Sequence, residues 1–391
     1  MRNVMKSASG RAVRFKKHTT DSFFGHFLYE QLLDKKHFLV QAKQIVNWDS
    51  FTQKCLRYYK GSGEVGRAPY NPACLLKMLF VSYLYNFSER QTEIMVNDSI
   101  VMKYFLGLGV DEKAPDNSSL TYFKERLLEG AGKSAYDGLL REILSQAKQK
   151  GIEFGSIQII DATHTIADVN TDKDEKRKDK GEKPRDPSAK WGTKGQKKIK
   201  DKKTGKTITI NKSFYGYKAH TSANADSKLI TSVTTTSGEA SDGKQFITLV
   251  KKDNFTPVPK TNRINTADKA YDDGDNHEYL KEHKMGDAII LKKTRLNKKD
   301  KNKQIWQKLV ESEQYQEGIK HRYEIESIFG IEKQNHGLRR ARYLGLDKFH
   351  IQASLTALVI NLKVVVANIT GSTLKGYGYR GNAIRFKNAS P

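Results

Sequence analysis

The sequence predicts a chain in two parts: a helical N-terminal domain, then an α/β domain built on a mixed sheet flanked by helices. Three observations predict it. From Asp21 to about Ala147, apolar residues recur at helical spacing between tight turns. From Gly155 onward the period changes to short β-rich runs, which later alternate with helical segments. The 391 residues, 37% hydrophobic and 29% charged, suffice for two or three domains with real cores, in the soluble globular class.

Met1 to Thr20 is basic and lacks the apolar core of a signal peptide, so residues 1–20 read as a flexible basic arm. Residues 21–150 form the expected helical domain. Phe24, Phe27, Leu28, Leu32 and Leu33 mark its first helix. Pro69-Tyr70-Asn71-Pro72 breaks the chain, and Pro72 suits the first turn of an apolar helix over about Ala73 to Tyr85. Ser88, with Gln91 three residues on, reads as a capping box for a helix over Glu89 to Val96. Pro115-Asp116-Asn117-Ser118-Ser119 is a turn into a helix over about Leu120 to Leu128. Short helices with basic loops make a DNA-binding bundle plausible, although no helix-turn-helix signature singles out a recognition helix.

Residues 151–370 form the expected α/β domain. Strands are predicted at Ile157–Asp161, Ser213–Thr221, Lys228–Thr236, Arg263–Asp268 and Ala288–Lys292, with a helix over about Asn276 to Lys284. Between the first two strands, residues 171–212 are dominated by Lys, Asp, Glu and Gly, with Trp191 the sole large aromatic. They read as a structureless insertion, either solvated or tracking a phosphate backbone. A Lys-rich segment from Lys293 to Gln304 leads into helices over Trp306–Gln314 and Gly318–Asn335. Lys348–Ile369 is a long apolar helix. Asn361 and Lys363 within it favour a buried helix over a membrane span. Residues 371–391 are Gly-rich and basic and read as a tail.

Lys and Arg number 69 against 44 Asp and Glu, a formal charge of +25. That surplus is spread along the chain and suits a polyanion, so nucleic acid is the expected partner. The two cysteines, Cys55 and Cys74, exclude a paired zinc knuckle or a disulfide framework and read as reduced core residues. No P-loop is visible.

Asp161 closes the apolar run Ile157-Gln158-Ile159-Ile160, and Asp268 closes Arg263-Ile264-Asn265-Thr266-Ala267. A carboxylate at the end of a buried strand is costly unless a metal, a cap or a cation satisfies it. Glu326 lies in Arg322-x-x-x-Glu326-x6-Lys333. At roughly 100° per residue these three fall within about 40° of one another on a helix, whereas Glu324 points about 160° away from Glu326. Carboxylates from two strand ends and a helix can converge on divalent metal ions, and ions so held cut and join phosphodiesters. Arg322 and Lys333 would then contact phosphates. His164 and His220 could touch DNA or orient a metal ligand, or be structural. Hard cations prefer oxygen, so neither belongs in a metal shell.

In combination these motifs resemble bacterial insertion-sequence transposases of the DDE class, in the superfamily embracing insertion-sequence families four and five. The residues that carry the resemblance are Ile159-Ile160-Asp161-Ala162-Thr163-His164, Gly216-Tyr217-Lys218-Ala219-His220, Ala267-Asp268-Lys269-Ala270-Tyr271 and Arg322–Glu326–Lys333, followed by Arg339-Arg340-Ala341-Arg342-Tyr343-Leu344-Gly345-Leu346. Phe105-Leu106-Gly107-Leu108 and the turn at Pro115–Leu120 extend it into the helical domain, so that it spans roughly residues 20 to 365. One departure stands out: the family signature usually has Tyr three residues before its Arg, and here that position is Ile319.

The resemblance implies a ribonuclease-H-like catalytic domain in which Asp161, Asp268 and Glu326 hold two Mg²⁺ ions, with Mn²⁺ able to substitute. It implies DNA or phosphate contacts by Arg322, Lys333, Lys218, Arg339, Arg340 and Arg342. The expected activity is binding of terminal inverted repeats, cleavage of transposon ends and strand transfer into target DNA. The expected partners are double-stranded DNA and a second copy of the chain, since two ends must be held together. No membrane is expected, and the setting is cytoplasmic, with the nucleoid when DNA is bound. A stand-alone metal-dependent nuclease and a domesticated DNA-binding protein are the alternatives.

Overall fold

In the computed structural model, residues 4–6, 12–16, 23–59, 68–200, 207–256, 263–297 and 302–371 are described. The chain divides into two units: Met1–Ile152 with Leu358–Pro391, and Glu153–Ala357.

The first unit is mainly helical. Val4–Lys6 (β1) pairs antiparallel with Ala12–Arg14 (β2), and Phe15 is buried against Leu56 and Tyr59. The described part of the expected basic arm is therefore ordered by a hairpin-like pair and an aromatic anchor. Helices follow at Phe23–Leu32 (α1), Phe38–Ile45 (α2), Trp48–Leu56 (α3), Pro72–Leu84 (α4), Glu89–Asp98 (α5), Ile100–Leu106 (α6), Asn117–Ala131 (α7) and Lys133–Gln149 (α8). Their starts follow local chemistry. Asn71 caps α4 by accepting from the Ala73 amide at 2.8 Å, with Pro72 at the first helical position. Ser88 and Gln91 form a reciprocal capping box on α5. Asp116 accepts from Ser119 to start α7. Trp48 packs edge-on against Phe80 and Phe105, and the Lys77 ammonium lies 5.2 Å from its ring centroid. Burial pushes the Lys77 ammonium down to about 8. Both cysteines are buried and free, and burial pushes their thiols up to about 12.

The second unit is a mixed sheet flanked by helices. Its strands are Ile157–Ile166 (β3), Lys190–Lys200 (β4), Thr207–Asn224 (β5), Ile230–Ser237 (β6), Ile264–Ala267 (β7) and Gly286–Ile289 (β8). The C-terminal half of β5 lies between β3 and β6, antiparallel to both; β7 and β8 then add in parallel beyond β3. The order across the sheet is β6-β5-β3-β7-β8. Parallel pairing of β7 with β8 needs a crossover, and Gly274–Glu282 (α11) supplies it. One face of the sheet carries Ile160, Ala267 and Ile289, and packs on Phe246–Lys252 (α10) and α11 through Phe246, Leu249, Val250 and Leu280. The other face carries Ile157 and Ile159, and packs on Ile325 and Phe329 of Glu324–Asn335 (α14). Glu313–His321 (α13) lies close on β7 and β8: a Cβ added at Gly318 would stand 2.3 Å from that of Ala288.

Residues 171–212 are not structureless as far as they are described. Asn170 caps a helix, Thr171–Asp179 (α9), and β4 pairs with the N-terminal half of β5 to make a two-stranded ribbon. A register shift between Thr193 and Gln196 contains Gly195, whose φ of +110° suits glycine. Lysine-rich composition conceals the ribbon because its β-branched residues, Thr207, Thr209 and Ile210, pair across a distance in sequence. The predicted helix over Gly318–Asn335 is divided at Arg322 and Tyr323 into α13 and α14. Both residues keep helical dihedrals, so the break is a bend rather than a reversal.

Lys303–Glu311 (α12) precedes α13. The last helix, Leu346–Thr370 (α15), contributes its first half to the second unit and its second half to the first. By length and composition it could cross a membrane, but most of it is buried within the protein, Asn361 and Lys363 included. The expected tail, apart from Gly371, and residues 298–301 of the Lys-rich segment at 293–304 lie outside the described residues.

Candidate active site

Ile160 and Ala267 are the last paired residues of the parallel ladder between β3 and β7. Asp161 and Asp268 each come one residue later, so the two acids stand at matching positions on neighbouring strands, Asp161 still paired with Thr221 of β5. The site is made by topology: β7 ends at Ala267 while β3, predicted to end at Asp161, runs on to Ile166 paired with β5, so Asp161 lies in mid-strand where its parallel neighbour stops and Asp268 just past that stop. Asp161 Oδ1 accepts from the Ala162 amide at 2.7 Å. Asp268 Oδ1 accepts from the Ala270 amide at 2.8 Å and so starts the 3-10 turn Lys269–Tyr271.

Glu326 reaches this edge from α14. Arg322, at the bend before α14, joins the three acids. Its Nη1 donates to Glu326 Oε1 at 2.8 Å and its Nη2 to Asp161 Oδ2 at 3.2 Å, with Asp268 Oδ2 at 3.9 Å. Exposure separates them: the Asp161 side chain is 14% exposed, Asp268 31% and Glu326 63%. The surrounding Ile325, Ile328 and Phe329 suggest burial for Glu326 too, but its own side of α14 faces solvent. Glu324 turns away, to Lys228 and His321. The acids are gathered around a guanidinium rather than on one point. Among the described residues, no three His, Cys, Asp or Glu side chains stand close enough to hold an ion as they are.

Burial raises the Asp161 carboxyl to about 7; the Ala162 amide and Arg322 oppose the shift, and Asp268 and Asp242 add to it. One guanidinium thus does not offset what burial and neighbouring acids impose. The Tyr271 hydroxyl, fully buried, has no hydrogen-bond partner among the described residues and feels Asp161, Asp242 and Asp268.

A cationic group gathers around Lys333 and His164. Half-buried Lys333, on α14, is lowered to about 8 by burial and by Lys194 and Arg339, against the attraction of Glu332. His164 is lowered to about 4 by burial and by Lys333, Lys194 and Lys218. It packs on Phe214 with ring centroids 5.0 Å apart and is held neutral. Residues 338–341 run along the end of β3: the Ile166 amide donates to the Arg339 carbonyl, and the Ala341 amide to that of Ile166. Arg339 and Arg340 are exposed there, Arg340 pairing with Asp168 at 3.0 Å, and Arg342 is half-buried. Lys218 is engaged inside the protein. Its Nζ donates to Asp242 Oδ1 and to the Ala240 carbonyl, both at 2.9 Å. His220 is fully buried, with Nε2 against Thr236 Oγ1 at 2.8 Å.

Sequence patterns did not single out Asp242 or Lys194, and Tyr271 entered only as the last residue of the Ala267–Tyr271 motif. Asp242 sits in a Gly-rich loop with no apolar run before it, and Lys194 is one lysine among many. Tyr271 alone carried a signal, as the large apolar residue three after Asp268 in an otherwise polar turn.

Residues 152–362 match a family model described as "Transposase DDE domain". Residues 27–126 match one described as "Transposase domain (DUF772)".

Proposed function

Because the chain belongs to the DDE transposase family, whose members cleave DNA and transfer strands with divalent metal ions, we propose that Asp161, Asp268 and Glu326 are its catalytic carboxylates and hold two Mg²⁺ ions, with Mn²⁺ able to substitute. The observation that carries this reading is Arg322. One guanidinium meets an acid within β3, one just past the end of β7 and one on a helix, and such convergence across three elements is hard to explain as a surface ion pair. The donor set fits hard divalent cations, since every donor is a carboxylate oxygen. The raised Asp161 carboxyl marks a place short of positive charge.

Strand order β6-β5-β3-β7-β8, with three antiparallel strands followed by two parallel ones and helices on both faces, supports a ribonuclease-H-like core. When bound, such ions lower the pKa of a water and balance charge on the leaving oxygen of an in-line displacement. The chain's own residues do the rest. Arg322 shifts from the acids to a phosphate oxygen, which it can meet with two parallel N–H donors. Lys333, Arg339, Arg340 and Arg342 grip the backbone and set the scissile phosphate over Asp161 and Asp268. Lys218 acts from beneath, through Asp242. The attacking group is water for end cleavage and then the freed 3′-OH for strand transfer. The α1–α8 unit binds the terminal inverted repeats, the basic ribbon of β4 and β5 follows the phosphate backbone, and two copies of the chain hold paired ends in the cytoplasm.

The test is incubation of purified protein with DNA bearing the element's ends and a target, with Mg²⁺ or with a chelator. Cut and joined products that need the cation are expected. Cut ends that never join would make the protein a stand-alone nuclease, and no cleavage with either Mg²⁺ or Mn²⁺ would overturn the reading.

A further inference from the structure

We infer that Asp242 is a fourth carboxylate of this centre and takes part in holding a divalent cation beside Asp161 and Asp268. The inference rests on the reading of that centre as a cation site.

Asp242 reaches the site by a route separate from the other three acids. It lies in the loop after β6, immediately before the 3-10 turn Gly243–Gln245 that leads into α10. Buried Asn276 fastens this loop to the turn after Asp268: its Nδ2 donates to the Gly243 carbonyl at 3.0 Å and to the Tyr271 carbonyl at 2.9 Å. The two backbones lie so close that a Cβ at Gly243 would stand 3.1 Å from the Ala270 carbonyl oxygen. The loop is thereby held against the Asp268 turn.

Two buried polar atoms point to something the present pairings do not satisfy. His220 Nδ1 is 3.9 Å from Asp242 Oδ1 and has no hydrogen-bond partner among the described residues, although the ring is fully buried. Burial and Lys218 lower this imidazole to about 3, so it offers Asp242 a dipole and no charge. The Tyr271 hydroxyl is the second such atom, and Asp161, Asp242 and Asp268 are its shared anionic neighbours. Buried polar groups are nearly always satisfied, and a shared ion with its water shell would satisfy both.

Charge balance agrees. Asp161, Asp268 and Glu326 share Arg322, and Asp242 pairs with Lys218. The four acids outnumber these two cations, and divalent cations would neutralise the surplus of negative charge. On this account Lys218 is the counter-ion of Asp242 until a cation arrives, and it competes with that cation.

The alternative, a purely structural Lys218–Asp242 pair, makes a different prediction. Mn²⁺ affinity of the full-length protein without DNA, measured by calorimetric titration, separates them. Asp242→Asn is expected to weaken Mn²⁺ binding by about 10-fold or more. Lys218→Met is expected to tighten it, because the competing ammonium is gone. A structural pair would leave both affinities at the wild-type value and lower thermal stability alike. Wild-type affinity in Asp242→Asn, with weakened binding in an Asp161→Asn control, overturns the inference and spares the centre. Wild-type affinity in Asp161→Asn overturns the centre itself. Should Asp242→Asn fail to fold, Lys218→Met carries the test, and unchanged or weaker binding overturns the inference.

Discussion

Arg322 Nη2 donates to Asp161 Oδ2 at 3.2 Å, joining the bend between α13 and α14 to the middle of β3. The same side chain holds Glu326, so an arginine occupies the space between acids that the proposed chemistry assigns to cations. Charge rather than shape defines this edge, and the first prediction separates the two. Asp161→Asn, Asp268→Asn and Glu326→Gln each keep the side-chain volume and remove the charge. Each is expected to lower strand transfer by about 10³-fold or more, several kcal/mol of transition-state stabilisation. Gel-shift binding to end DNA should persist. Near-wild-type strand transfer in any one variant would remove that residue from the centre.

Asp161 also bears on stability. Its carboxyl is raised from 3.8 to about 7, chiefly by burial. A group whose folded pKa is raised contributes stability below its unfolded pKa and loses it as pH rises through the folded value. The loss here falls between about pH 4 and pH 7. Without metal, Asp161→Asn should therefore be more stable than wild type at pH 8, by about 1–3 kcal/mol, and the gain should vanish toward pH 4. Urea midpoints in a chelating buffer at the two pH values would show it; a destabilised variant at pH 8 would contradict the burial argument.

Salt should weaken DNA binding steeply. The formal charge of +25 and the cationic group of Lys194, Lys333 and Arg339 imply release of many counterions. A plot of log Kd against log salt should be linear. Arg339→Ala or Lys333→Ala should each reduce its slope by about 1. A flat dependence would exclude phosphate-dominated contact.

His277 sits between two acids, with Nε2 3.0 Å from Asp272 Oδ1 and Nδ1 2.5 Å from Asp287 Oδ2. Burial pulls its pKa down, but hydrogen bonds and charge from Asp287 and Asp272 outweigh burial and leave it above 6.5. Stability from this network is present below pH 6.5 and lost as pH rises through the folded value. Asp272 behaves in the opposite sense. Burial would raise it, yet the Lys292 amide, His277 and Arg295 lower it on balance, so its contribution is lost only in acid. His277→Gln should flatten the decline in unfolding free energy between pH 6 and pH 8.5, at a cost of about 1–3 kcal/mol at pH 6. An unchanged slope would show that another group titrates there.

Elements that depend on near neighbours were legible in the sequence. The Ser88–Gln91 capping box, Pro72 at the start of α4 and the Asp116 cap act within one helical turn. The apolar runs before Asp161 and Asp268 announced β3 and β7, because a strand buried on both faces reads as a continuous apolar stretch. The ribbon of β4 and β5 was not legible. Its stability comes from pairing between two strands, and its lysines carry no periodic signal. Nor was the bend at Arg322 and Tyr323, which no proline or glycine marks. There α13 follows β7 and β8, and α14 follows β3.

By itself, then, the sequence determined which residues cap, which runs bury themselves, that the partner is a polyanion and which acids follow the buried runs, although β3 continues past Asp161. These are consequences of local geometry and total charge. Only the tertiary structure decided that Asp161 and Asp268 stand in register on neighbouring strands, that Glu326 faces water while Glu324 is tied to Lys228, and that Asp242 pairs with Lys218. Electrostatic coupling depends on distance through space, and residues far apart in sequence acquire that distance only when strands pair and helices pack.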